Sequence, residues 1–219
     1  MLLPVSGLHS TDLSRQLDSA ITTSLTEAVR QLELGSCAEV VVEVRARSGS
    51  YAVADARFAA GIAFAGLLVL LFSPWSFQTV WVPVDVAILY VAGIAIAQRS
   101  DFIRRVLTSE RERVTRVQTT ARAVFVERGV SYTEKASGLL VYLSLLERQF
   151  EIVEDRGVLR AVDPEQWNRL VASARAVRTA DLLSLRDLIQ SMAPILCQCL
   201  PGGNDNRDEL PDAPRFVIE

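Results

Sequence analysis

Lysine is almost missing from this chain. Lys135 is the single one among 219 residues, and His9 is the single histidine. The basic charge is therefore carried by arginine. With 23 basic against 26 acidic side chains the net charge is -3, so no global positive field argues for nucleic acid. Cysteine is sparse too. Cys37, Cys197 and Cys199 form an odd set with one close pair, which is not a disulfide framework. With one distant histidine the set is also short of zinc ligands. No phosphate-cradling glycine loop and no D-x-D-x-T pattern is present. MLLPVSGLHSTD lacks a basic n-region and its apolar run is short, so no signal peptide is expected.

The most telling absence is local. From Phe58 to Val84 there is no charged residue at all. This stretch and its continuation raise the hydrophobic fraction of the chain to 50%. Two apolar runs stand out, Phe58 to Phe72 and Val80 to Ala97, separated by SPWSFQ. Helices of about 17 residues reach roughly 26 Å at a rise of 1.5 Å per residue, slightly short of a bilayer core. Snorkelling by Arg57 and Arg99 would extend them. Gly61, Gly66, Gly93 and the alanines allow close helix–helix contact. Trp75 and Trp81 stand at the turn, where an interfacial aromatic belt would lie. The sequence therefore predicts a transmembrane helical hairpin over residues 58–98; the alternative is an apolar helix pair inside a soluble core. Arg57 precedes the hairpin, and Arg99, Arg104, Arg105, Arg111, Arg113 and Arg116 follow it. The loop between the spans has no basic residue, so both termini are expected on the cytoplasmic side of the inner membrane. Cysteines free to stay reduced agree with that compartment. Asp85 follows Pro83 close to the turn and reads as an interfacial carboxylate.

Outside the hairpin the pattern is α/β. A first helix is capped by Ser10 or Thr11 and carries Leu13, Leu17, Ile21, Leu25, Val29 and Leu32 on one face, with Gly35 as its stop. AEVVVEVRARS, with Val40, Val41, Val42 and Val44 nearly continuous, suits a strand covered on both faces of a parallel or mixed sheet. Ser100 caps a short helix. Thr108 or Ser109 caps the next, which has Val114, Val117, Ala121, Val124 and Phe125 on one face and ends at Gly129. The arginines beside it form a solvated face that also suits anionic headgroups. GLLVYLSLLERQFEIVEDRGV then predicts a central apolar strand, Leu139 to Leu146, a turn on Glu147-Arg148, and an antiparallel strand nearer the edge. In that second strand Phe150 and Ile152 point inward and Gln149 and Glu151 outward. Asp163-Pro164-Glu165-Gln166 starts a helix with Trp167, Leu170, Val171 and Ala174 buried. A last helix runs from about Ala180, and Pro194 should kink or end it. The organisation expected is residues 10–57 and 99–200 as two parts of one α/β domain, 58–98 as the hairpin, and 201–219 as a flexible tail.

AEVVVEVRARSGSYAVADARF, ARAVFVERGVSYTEKASGLLVYLSLLERQFEIVEDRGV and the PEQWNRLV helix together resemble the TPM-domain family, thylakoid lumen phosphatase-like and related bacterial membrane proteins. Where that family carries a basic turn before the central strand, this chain has Lys135-Ala136-Ser137-Gly138. The resemblance implies a Rossmann-like three-layer α/β/α sandwich with a small mixed sheet. It also implies that the chain falls among proteins linked to phosphatase activity, calcium binding or maintenance of membrane complexes. Many TPM domains lie outside the cytoplasm; the inward-facing topology expected here means that a lumenal role is not carried over.

The residues at the second strand's exit are the candidates for chemistry. Asp155, Asp163 and Arg156 are the set a phosphatase would use, and Glu154, Asp155 and Asp163 the set that would hold calcium. Asp155 and Asp163 are eight residues apart in sequence, at a strand end and a helix cap, and could converge at one sheet edge. Each also has a purely structural reading, as a helix cap or a solvated strand end. NDNRDE in the tail has the opening acids of an EF-hand loop but lacks its Gly and its bidentate Glu. No cofactor is demanded. The function expected is a non-catalytic interaction or accessory module for a membrane complex. Its partners would be the bilayer and a membrane protein or a second copy of the chain. A phosphatase-like hydrolase or a calcium-binding domain is the alternative.

Overall fold

The computed structural model describes residues 19–74, 78, 80–177, 180–202, 210 and 213–217. His9, the Ser10 or Thr11 cap, Leu13, Leu17 and Trp75 lie outside the described residues, as does most of the tail. The chain forms two compact units. Among the described residues one is Gly49–Arg113; the other is Ser19–Ser48 together with Val114 onward.

The second unit is mixed α/β. Its four strands are β1 (Glu39–Arg45), β2 (Gly138–Ser144), β3 (Gln149–Glu154) and β4 (Arg215–Val217), in the order β3-β2-β1-β4. β1 runs parallel to β2 and to β4, while β2 and β3 pair antiparallel. β2 is buried along its whole length and β1 nearly so. That is why both read as unbroken apolar runs rather than alternating ones. Val40, Val42 and Val44 share a face with Leu139, Val141, Leu143, Phe150 and Ile152. They pack against helices α1 (Ser19–Gly35), α7 (Pro164–Ala176) and α8 (Leu182–Cys199). Val41, Leu140 and Tyr142 point the other way, into Val117, Ala121, Val124 and Phe125 of α5 (Glu110–Glu127) and Val130 of the 3-10 turn that follows. Helices therefore cover both faces of the sheet. The β2–β3 turn is wider than the reading on Glu147-Arg148: β2 ends at Ser144, opposite Gln149, so the turn takes Leu145 to Arg148, with Arg148 at φ 54.

Four further expectations are corrected. Pro194 neither ends α8 nor shortens it; the helix continues to Cys199. Ile195 and Leu196, just beyond the proline, are buried in the core, and that burial outweighs the lost backbone hydrogen bond. The tail is not wholly loose, because Arg215–Val217 pairs with Glu43–Arg45 and Phe216 packs on the core. It occupies what would otherwise be an open edge of β1. Glu151 does not face solvent; it is 3% exposed and is met by Arg175, Nη2 to Oε1 at 2.6 Å. Finally, a short helix, α6 (Arg156–Ala161), follows β3 directly.

The loop before β2 approaches two glycines closely. A Cβ on Gly138 would lie 2.0 Å from the Val130 carbonyl oxygen, and one on Gly157 would lie 2.5 Å from the carbonyl oxygens of both Lys135 and Ala136. These contacts are backbone and cannot swing aside. Gly138→Ala is expected to lose about 1–3 kcal/mol of stability, the usual cost of overpacking, in denaturant unfolding of the full chain. An unchanged midpoint would contradict the close approach.

Candidate functional site

The other unit is built on α2 (Ala52–Phe72) and α3 (Val82–Gln98), followed by α4 (Asp101–Leu107). α2 has 21 residues, about 31 Å at 1.5 Å per residue. The two helices meet along a seam of small residues. Ala59, Ala63, Gly93 and Ala97 are buried, and a Cβ on Gly93 would sit 2.7 Å from the Ala59 Cα. Gly66 lies against Leu89, so the contact runs antiparallel. Gly61, expected in the seam, faces open space. The long side chains point outward instead: Phe64 is 61% exposed, Phe72 82%, Ile88 61% and Val91 65%. By length and composition α2 is apolar enough to cross a membrane. α3 passes that test only jointly with α4, to which it is bent by 101°.

At one end of the pair Arg57 and Arg99 are exposed. Trp81, 59% exposed, is at the other, where α3 begins. Asp85 lies in the first turn of α3 and is half-buried. Arg105 is half-buried. Arg104, expected to reach toward headgroups, is instead engaged inside the unit. Its Nε and Nη2 donate to the two carboxylate oxygens of Asp55 at 2.9 and 2.8 Å, and both residues are buried. This bidentate pair clamps α4 to the first turn of α2. Arg113 donates to the carbonyls of Arg105 and Thr108 and so closes the end of α4. The signal for the clamp was an aspartate three residues before the charge-free stretch.

The strand-exit carboxylates have local duties. Asp155 is the N-cap of α6, its Oδ1 accepting from the Arg156 N–H at 2.6 Å. Its other oxygen is buried with no partner among the described residues. Asp163 is the N-cap of α7, accepting from the Gln166 N–H at 3.0 Å, and Arg156 is exposed. Among the described residues no group of three or more His, Cys, Asp or Glu side chains is placed to hold a metal ion.

Glu154 differs from its neighbours. Burial pushes its carboxyl above the ordinary value of 4.5, with Glu151 adding to the rise. Its own backbone N–H, the Trp167 indole and Arg175 oppose it. The Trp167 N–H makes no well-aligned hydrogen bond, so that opposition is weak. A carboxyl whose folded value is raised binds its proton more tightly folded than unfolded, so it costs stability as pH rises above the unfolded value. Glu154→Gln is therefore expected to raise the melting temperature at pH 7. The gain should vanish below about pH 4, where both states are protonated. Equal melting temperatures at both pH values would refute this.

The buried polar groups that sequence reasoning missed cluster at the carboxyl ends of β1 and β2. Glu43, fully buried, accepts from Arg45 Nε at 2.7 Å and Arg128 Nε at 2.9 Å. Glu147, 4% exposed, accepts from the Ser48 N–H at 3.0 Å and from the Ser144 hydroxyl. Ser48 Oγ lies 2.9 Å from the Tyr142 hydroxyl, whose pKa is pushed up to about 12, chiefly by burial. The Thr120 hydroxyl donates to the Ser48 carbonyl at 2.9 Å. Every one of these groups is partnered from within the unit, which makes the cluster a lock on the β1 exit loop. Beside β3, Val114, Gln149, Phe150, Glu151 and Arg175 line a cavity of about 30 Å³, room for a water or two.

No protein-family model and no curated protein matches the chain. Among solved structures, the NMR structure of the BA42 protein from the psychrophilic bacterium Bizionia argentinensis sp. nov. is similar. It is 14% identical with a TM-score of 0.50, and the match covers 92% of this chain and 94% of that one. Likeness at that identity speaks to the fold alone.

Proposed function

We propose that this chain is a membrane-anchored, TPM-like domain that acts as a non-catalytic interaction or accessory module. In this reading α2 and α3 form a transmembrane hairpin. The mixed sheet with helices on both faces is a Rossmann-like three-layer sandwich, and it lies with both termini on the cytoplasmic side. The observation that carries the anchor is the outward display of Phe64, Val69, Phe72, Ile88 and Val91 around a seam of alanine and glycine. A soluble helix pair hides its large apolar side chains and exposes its small or polar ones. A pair in lipid does the reverse, because bilayer and side chain are equally apolar and only close packing is left to hold the helices. Arginines at one end and Trp81 at the other fit the orientation.

Non-catalytic action is supported by the occupation of the polar groups. Asp155 and Asp163 each satisfy a helix N-terminus, and Glu43, Glu147 and Glu151 are held by internal partners. The partner would be a membrane protein or a second copy of the chain. Carbonate washing of membranes tests the anchor: the chain should stay in the pellet, and its release would sink the reading. Activity toward a generic phosphate monoester, lost in both Asp155→Ala and Asp163→Ala with folding intact, would overturn the non-catalytic part.

A further inference from the structure

The seven residues of α4 are amphipathic in a way the clamp on Arg104 explains only in part. Phe102 is 68% exposed and Val106 65% exposed, four positions apart on one side of the helix. Ile103 and Leu107 flank them and are half-buried. Asp101, Arg104 and Arg105 make up the opposite side. A helix that packed on its own unit would turn Phe102 inward. This one turns an arginine inward, onto Asp55, and leaves its largest apolar side chain out.

The direction of α4 matters as much as its faces. The break from α3 is short, Arg99 and Ser100, and the new helix starts at an angle of 101° with Ser100 capping it through the Ile103 N–H. The axis of α4 is therefore nearly perpendicular to the axis of α3. It leaves α3 at the end where Arg57 and Arg99 are exposed. It is held there at its middle by Asp55 on Arg104 and at its C-terminal end by Arg113 on the carbonyls of Arg105 and Thr108. A continuation of the span is disfavoured, because the ion pair would then lie in hydrocarbon.

We infer that α4 is an interfacial helix that lies flat in the headgroup region of the bilayer, with Phe102 and Val106 inserted among the upper acyl chains beside the two spans. The inference rests on the membrane anchor proposed above. The occupant of the exposed face is lipid because α4 begins where α3 ends, at the end of the pair where Arg57 and Arg99 are exposed, the depth at which an amphipathic helix meets headgroups and upper acyl chains. Asp101, which is exposed, would then face water, with half-buried Arg105 near anionic headgroups. A flat helix locked to the base of a hairpin fixes the tilt of the spans as well as their depth.

The test uses the full chain in vesicles of phosphatidylcholine and phosphatidylglycerol, with Phe102→Trp compared against the wild type and against Asp101→Trp on the polar side. Excess tryptophan quenching is expected in Phe102→Trp with lipids brominated near the headgroup end of the acyl chain. Less is expected with lipids brominated near the chain terminus, and no excess in Asp101→Trp. Melting temperatures matching the wild type keep the comparison valid, since both positions are exposed. If the tryptophan at position 102 is quenched by aqueous iodide and not by bromolipid, while the chain stays in the carbonate pellet, the interfacial helix is overturned and the anchor stands. Release of the wild-type chain by carbonate overturns the anchor and the inference with it.

Discussion

Asp55→Ala and Arg104→Ala should each lower the stability of the full chain by about 3–5 kcal/mol, the range for breaking a buried ion pair from one side. The double variant should lose much less than the sum. The geometry is the reason. The guanidinium meets both oxygens of one carboxylate at 2.9 and 2.8 Å, and the two side chains are only 10% and 7% exposed. Removing either partner leaves the other charge desolvated, whereas removing both leaves a cavity and no orphan charge. Arg104→Lys should rescue poorly, because a single ammonium cannot serve two oxygens in a fork. Thermal unfolding in mild detergent reads all four chains. Additive losses would mean that the two groups do not couple. Because the pair ties α4 to α2, the single variants should also loosen α4, visible as faster amide exchange over residues 101–107.

Much of the sheet was legible in the sequence because the sheet is buried on both faces. Val40 to Val44 and Leu139 to Leu143 have no solvated side to interrupt them, so their apolar runs announce central strands. The caps were legible for a different reason: Ser100, Asp163 and Gly129 act through their own short-range chemistry. What sequence reasoning misread depends on distant partners. Glu151 looked like an outward residue in an alternating strand, and only Arg175, twenty-four positions away, makes its burial tolerable. Glu43 sits in a valine run with Arg128 eighty-five positions off. Periodicity carries no term for a charge neutralised by a remote arginine. α6 was hidden because Gly157 is a poor helix former. Its need for a missing side chain comes from the Lys135 and Ala136 carbonyls rather than from anything local. The tail strand was invisible for the same reason, since three residues gain strand structure only from the waiting edge of β1.

The candidate site divides along the same line. The apolar helix pair was legible, because a charge-free stretch is a one-dimensional signal. The carboxylates were left between two readings, because Asp and Glu at a strand exit look alike whether they cap a helix or hold a ligand. Asp155 and Asp163 cap, and Glu154 is the one at that end that burial perturbs.

Phe64→Asp/Ile88→Asp should abolish the membrane association of the chain. Both side chains are 61% exposed on the outer surface of the helix pair, near the middle of α2 and α3. An aspartate near the centre of a transmembrane helix costs about 2.5–3.5 kcal/mol on insertion scales, so two cost roughly 5–7 kcal/mol. That is about four to five orders of magnitude in partitioning. In a water-exposed helix pair the same two substitutions would replace exposed apolar side chains with solvated ones. They would then shift stability by less than about 0.5 kcal/mol each and raise solubility. The two readings thus differ in sign as well as size. The measurement is the share of chain in the carbonate-washed pellet, with Gly61→Ala as a control. Gly61 faces open space, so an alanine there meets nothing and keeps the surface apolar. Wild-type pelleting of the double aspartate variant would defeat the anchor, because no bilayer-spanning pair keeps two lipid-facing carboxylates at its centre at so little cost.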